Sequence, residues 1–93
     1  MGIRCVVKYH PLVVRDDIPK IDVNNRLRIK TAIEQKLATR PDLFGIPLRR
    51  SLKGHRKIRV GDYRIVYRIE SNVVFVFAIM HRSVVYERIR RRI

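Results

Sequence analysis

The sequence has one cysteine, Cys5, so no disulfide can close within the chain. The surrounding ICVV reads as a buried strand with the thiol as a small core residue, in keeping with a reducing cytoplasm. It also lacks an apolar leader followed by a small-residue cleavage site, and no run approaches the roughly 18 apolar residues of a membrane span. The longest apolar run, VVFVFAIM at residues 73–80, has the length and the β-branched and aromatic content of a strand. The expectation is a soluble, cytoplasmic protein with no membrane partner.

Several catalytic outfits are missing as well. The eight acidic residues are scattered, which removes paired carboxylates. No Cys/His set has metal-ligand spacing, no glycine-rich phosphate loop occurs, and Ser51 and Ser83 lack a nucleophile context. Standard hydrolase chemistry is thereby set aside, and no metal site or cofactor is expected. Prolines, glycines and serines form no linker, and there is no internal repeat. At 93 residues, with 46% hydrophobic and 32% charged residues, the chain reads as one domain over residues 1–93.

Positive charge is abundant. Twenty-two Lys and Arg against eight Asp and Glu give a formal charge of +14 and an isoelectric point near 11.3. Such a surface points to a polyanion, either nucleic acid, an anionic membrane or an acidic protein, and composition does not choose among them.

Along the chain, residues 3–9 predict a strand ended by His10-Pro11, because proline cannot donate to a ladder. Residues 12–18 predict a short helix bounded by Pro11 and Pro19. From an Asp22 N-cap, Val23, Leu27, Ile29, Ile33, Leu37 and Ala38 fall on one helical face, with the stems of Arg26 and Lys30 at its border. That helix should stop near Thr39, before Pro41. Residues 40–54 read as a loop pinned by Phe44, Ile46 and Leu48. Three strands follow, 55–60, 63–70 and 73–80, joined by Gly61-Asp62 and Ser71-Asn72 as an antiparallel meander. The remaining VVYERIRRRI predicts a strand end or a short helix with its RRR in solvent.

The stretch RKIRVGDYRIVYRI, residues 56–69, carries the densest signal. A two-residue loop at Gly61-Asp62 sets Val60 opposite Tyr63, Arg59 opposite Arg64, Ile58 opposite Ile65 and Lys57 opposite Val66. Period two then sends Ile58, Val60, Tyr63, Ile65 and Tyr67 to the core, and Lys57, Arg59, Arg64, Val66 and Arg68 to the other face. Continuing through Ser71-Asn72 pairs Arg68 with Phe75, Val66 with Phe77 and Arg64 with Ile79, and brings His81 to the cationic face. Facing arginines cost about 0.2–1 kcal/mol if they mirror other cross-strand pairs. The placement makes sense where an anion relieves the repulsion, with Phe75, Phe77 and Val66 as a floor for bases or sugars.

Lys57, Arg59, Arg64, His81, Arg82 and Tyr86 form a set able to steady a pentavalent phosphate and move protons. RNA brings its own nucleophile, the 2′-hydroxyl, so alignment, proton removal, charge stabilisation and protonation of the 5′-oxygen would suffice. Lys57 is a candidate base, since neighbouring like charges favour a neutral amine. Tyr86 as a core tyrosine and His81 as a capping histidine are the structural alternatives. Arg49, Arg50, Lys53, Arg56 and Arg68 are candidate RNA-binding residues.

LKGHRKIRVGDYRIVYRI at 52–69 and VVFVFAIMHRSVVY at 73–86, preceded by a helix-loop-helix-like stretch at 11–38, resemble the RelE/ParE superfamily of toxins from type II toxin–antitoxin pairs. The resemblance implies an α+β fold, a twisted antiparallel β-sheet with two N-terminal helices on one face. For RelE-like members it implies an mRNA interferase cutting in the ribosomal A site by 2′-hydroxyl attack. By motif, Lys57 and Arg59 match the basic pair of the first hairpin strand, Arg64 the arginine of GDYR, and Tyr86 the C-terminal tyrosine. The short His81-Arg82-Ser83 turn leaves the third basic role open between His81 and Arg82. ParE-like members share the fold, act on DNA gyrase and do not need this cluster; a non-catalytic RNA-binding module is the further alternative. The resemblance also implies a cognate antitoxin with an acidic segment.

Overall fold

The computed structural model describes residues 4–92. Its centre is a five-stranded sheet in the order β1-β5-β4-β3-β2, with β1 Val6–Tyr9, β2 Ile46–Pro47, β3 Arg56–Val60, β4 Tyr63–Glu70 and β5 Val73–His81. Strands β3, β4 and β5 form the expected antiparallel meander, and β1 joins β5 in parallel, Val6 beside Val73 and Tyr9 beside Val76. The expected strand start at Ile3 lies outside the described residues, as does Ile93 at the chain's end.

The β3–β4 hairpin has the anticipated register, with Arg59 opposite Arg64 and Lys57 opposite Val66. Gly61 has φ +58° while Asp62 stays at negative φ, the pattern of a two-residue hairpin turn that needs glycine at its first central position. The β4–β5 register departs from expectation. Tyr67 pairs with Val76 but Val66 pairs with Ala78, so Phe77 is an extra residue, a β-bulge. Past it every side chain of β5 changes face. Val66 meets Ala78 instead of Phe77, Arg64 meets Met80 instead of Ile79, and His81 stands opposite Tyr63.

Both faces of the sheet are covered. On one, a helical segment of Val13–Asp17 running into Ile18–Lys20, and α1 Val23–Ala32 extended by Ile33–Leu37, pack on Ile58, Val60, Ile65, Tyr67, Val74, Val76 and Ile79. The first segment runs through Pro19, whose ring fits the opening position of a tight turn where its missing N–H costs nothing. Asp22 caps α1 by accepting from the Asn25 N–H at 3.2 Å. The buried stripe of this helix is Ile29, Ala32, Ile33 and Leu37, whereas Val23 and Leu27, expected in it, are 67% and 58% exposed. The stretch Ile33–Leu37 is wound wider than an α-helix, with the Ala38 N–H reaching back to Ile33.

The second face is covered by α2, Val85–Arg92, whose Val85 and Ile89 pack with Leu52 on Val66, Ala78 and Met80. The floor expected to take bases is therefore partly occupied, and Val66 is fully buried. Of the expected solvated RRR, Arg92 is instead an anchor. Its guanidinium donates to both Asp17 carboxylate oxygens, at 2.7 and 3.0 Å, and to the Phe77 carbonyl at 3.0 Å. Asp17 also accepts from the Ile79 N–H at 3.0 Å. β1 has ended by this level, and the ion pair satisfies backbone groups of β5 that β1 no longer meets.

The 41–45 loop is tied down by Tyr67, whose hydroxyl donates to the carbonyls of Pro41 and Phe44 at 2.9 and 2.5 Å. Phe44 and Leu48 reach the two cores as expected, while Ile46 is 64% exposed on the short edge strand β2.

Candidate active site

The geometric centre of the cationic set is a contact between two residues 29 positions apart. Lys57 points from β3 to the α2 side of the sheet, and Tyr86 sits in the first turn of α2. The Lys57 ammonium donates to the Tyr86 hydroxyl at 2.5 Å and lies 4.9 Å from the ring centroid. Burial of Val85 and Ile89, four apart, fixes the rotation of α2 and so the place of Tyr86 between them. The entry to α2 is fixed too. The His81 Nδ1 accepts from the Ser83 N–H at 3.2 Å and lies 2.8 Å from its hydroxyl, and the Val84 N–H bonds the His81 carbonyl.

His81 is thus a positioning element. The bulge at Phe77 moves it from the cationic face to the helix side, where its ring lies edge-on to Tyr63 at 5.7 Å. Arg82 is exposed at the hairpin tip, its Nε 3.4 Å from Asp62. Arg64 belongs to the same tip, with its guanidinium on the carbonyls of Gly61 and Tyr63 at 3.1 and 3.0 Å. Arg59 is exposed one residue pair from Lys57.

The candidate RNA-binding residues divide. Arg49, Arg50 and Lys53 are exposed on the loop that Leu48 and Leu52 pin to the second core. Arg68 lies on the Lys57 face, 3.1 Å from Glu70 and stacked 5.3 Å from the Phe75 ring centroid. Arg56 points to the opposite face and holds the carbonyls of Asp42 and Gly45 at 3.3 and 3.2 Å, a structural task.

The acids decide the electrostatics. Asp16, Asp17, Asp42, Asp62, Glu70 and Glu87 each pair with an arginine, and all these arginines lie away from the β3 edge or at the hairpin tip. Among the described residues, Lys57, Arg59 and Arg64 have no carboxylate within ion-pair distance. They share a groove of about 410 Å3 with Lys36, Phe44, Gly45, Ile46 and Ile58. Lys36, from the helix, was not singled out from sequence, although helical spacing puts Arg28 and Lys36, eight residues apart, near one flank. No cluster of three or more metal-ligating side chains occurs among the described residues.

Known proteins agree with this architecture. Residues 7–86 match the family model of the ParE toxin of the type II toxin–antitoxin system parDE. The chain belongs to this toxin family, within the RelE/ParE superfamily, and is the toxin component of a type II toxin–antitoxin system. It superposes on a chain of the RelBE2 toxin–antitoxin complex from Mycobacterium tuberculosis with a TM-score of 0.79 and 28% identity, covering 87% of this chain and 94% of that one. For the RelB–RelE complex from Methanococcus jannaschii the values are 0.65 and 22%, covering 86% and 95%. For YafQ from E. coli they are 0.61 and 19%, covering 89% and 99%. No curated protein sequence matches at a significant level.

Proposed function

We propose that the protein is a ribosome-dependent mRNA endonuclease that cuts through attack of the 2′-hydroxyl on the adjacent phosphate. The observation that carries this reading is the Lys57–Tyr86 hydrogen bond beside Arg59 and Arg64, which have no carboxylate within ion-pair distance among the described residues. With its amine neutral, Lys57 takes the 2′-hydroxyl proton as the 2′-oxygen bonds to phosphorus, and the contact with Tyr86 holds the amine in place. Arg59 and Arg64 offset the charge on the non-bridging oxygens. The P–O5′ bond then breaks, leaving a 2′,3′-cyclic phosphate and a 5′-hydroxyl. With His81 on the other face, the proton for the 5′-oxygen falls to Lys57 or Arg82.

The cognate partner is an antitoxin carrying an acidic segment, in keeping with the +14 charge and with neighbours that are toxin–antitoxin complexes. One observation favours a second reading, gyrase inhibition: the matching family model is that of ParE. A translation extract programmed with a defined mRNA separates the two. Cleavage inside codons, lost in Arg64→Ala and in Tyr86→Phe, is expected. Cleavage unchanged in both variants removes the site assignment, and intact mRNA with inhibited gyrase supports the ParE reading.

A further inference from the structure

The cationic groove beside Lys57 does not end at β3. A second groove of about 470 Å3, walled by Arg28, Thr31, Gln35 and Lys36 of the helix and by Arg59 and Gly61 of the hairpin, adjoins it, and Lys36 and Arg59 line both. No acidic side chain lines either groove. Arg28 and Lys36 have no carboxylate within ion-pair distance among the described residues. Because β2 pairs only with Arg56 and Lys57, the edge of β3 from Ile58 to Val60 has no strand partner along this path. The turn glycine lets Arg28 close over the hairpin. A Cβ at Gly61 would meet the Arg28 guanidinium at 2.8 Å.

We propose that Arg28, Lys36 and Arg59 form a phosphate-binding tract for single-stranded RNA, holding the backbone that flanks the nucleotide at Lys57 and Tyr86. This rests on the RNA reading above. The three cationic side chains meet phosphates, which carry no base identity, so the tract holds the strand without selecting its sequence. Its continuity with the Lys57 groove favours a polymer that passes through both.

The test is fluorescence anisotropy of the full chain with a labelled single-stranded oligonucleotide made uncleavable by 2′-O-methyl groups, titrated at several salt concentrations. On a single strand, each phosphate that the protein no longer neutralises lowers the slope of log affinity against log salt by about 0.7. Arg28→Gln/Lys36→Gln should therefore reduce it by about 1.4, and weaken binding about 20-fold near 0.1 M salt. Lys8→Gln/Arg15→Gln, which removes the same charge from β1 at the opposite edge of the sheet and from the first helical segment, should change affinity far less. Wild-type binding with an unaltered slope in Arg28→Gln/Lys36→Gln overturns the tract and leaves the RNA reading standing; equal weakening in the control pair overturns it too. Weakened binding of poly-glutamate with unchanged RNA affinity assigns the grooves to an acidic protein partner instead. Absence of wild-type binding removes the RNA reading itself.

Discussion

Replacing Arg92 by alanine should destabilise this protein far more than its position near the chain's end suggests. The Arg92 and Asp17 side chains are only 8% and 5% exposed, and the variant deletes the bidentate pair together with the bond to the Phe77 carbonyl. Asp17 keeps just the Ile79 N–H. Removing one partner of a buried pair costs about 3–5 kcal/mol, because the remaining charge is buried without compensation. A chain of this length has roughly 5–14 kcal/mol to lose. Eight residues of helix are not stable alone in water, so α2 should loosen first. Urea unfolding followed by circular dichroism should show a lower midpoint at constant slope, and amide exchange should rise over Val85–Arg92 before other segments. The doubly apolar variant Asp17→Leu/Arg92→Met should be less impaired than Arg92→Met alone. A loss below about 1 kcal/mol, the scale of exposed pairs, would refute the reasoning.

Gly45→Ala should lower the melting temperature by at least about 4 °C in a thermal scan, since φ +82° alone costs an alanine about 1–2 kcal/mol and its Cβ would press on the Tyr67 hydroxyl and the Lys57 carbonyl. Burial, helped by the nearby Arg68 charge, holds the His55 imidazole below its ordinary range. The unfolded chain therefore takes up that proton first, and stability should fall as pH drops from about 7.5 to 5.5. Urea midpoints across that range should show a shallower fall in His55→Phe, and an identical fall would exclude His55 as the cause. Tyr86→Phe should lower the unfolding free energy by no more than about 1.5 kcal/mol, the value of one hydrogen bond, while abolishing cleavage. A collapse of the fold in this variant would make Tyr86 a core residue first.

The hairpin was legible because two signals agreed. Gly61-Asp62 fixed the turn, and alternation fixed the faces, so the pairing of Lys57, Arg59 and Arg64 could be written down residue by residue. The bulge at Phe77 leaves no such mark. It is one apolar residue inside an apolar run, yet it reverses the faces of Ala78 to His81 and takes His81 away from the cationic set. In α2 the signals conflict, since Val84 and Val85 favour a strand while the spacing of Val85 and Ile89 favours a helix. Packing against Val66 and Met80 decides the matter. Val23 and Leu27 obeyed helical period, but the stripe that packs on the sheet is Ile29, Ala32, Ile33 and Leu37. The meeting of Lys57 with Tyr86 depends on α2 crossing the sheet, a long-range contact that neither turn nor alternation signals; side-chain chemistry and the family resemblance grouped the two residues without placing them. Arg56, one residue from Lys57, went to the other face by the alternation that made the hairpin readable.

The central claim is that the Lys57–Tyr86 pair makes this toxin a ribonuclease. Its most direct measurement is the mapping of mRNA 5′ ends in cells arrested by expression of the protein, beside the Tyr86→Phe variant, with chromosomal DNA breaks scored in the same cultures. New 5′-hydroxyl ends within coding regions, absent from the variant and unaccompanied by DNA breaks, are the predicted result. Arrest with intact mRNA and broken DNA would contradict it.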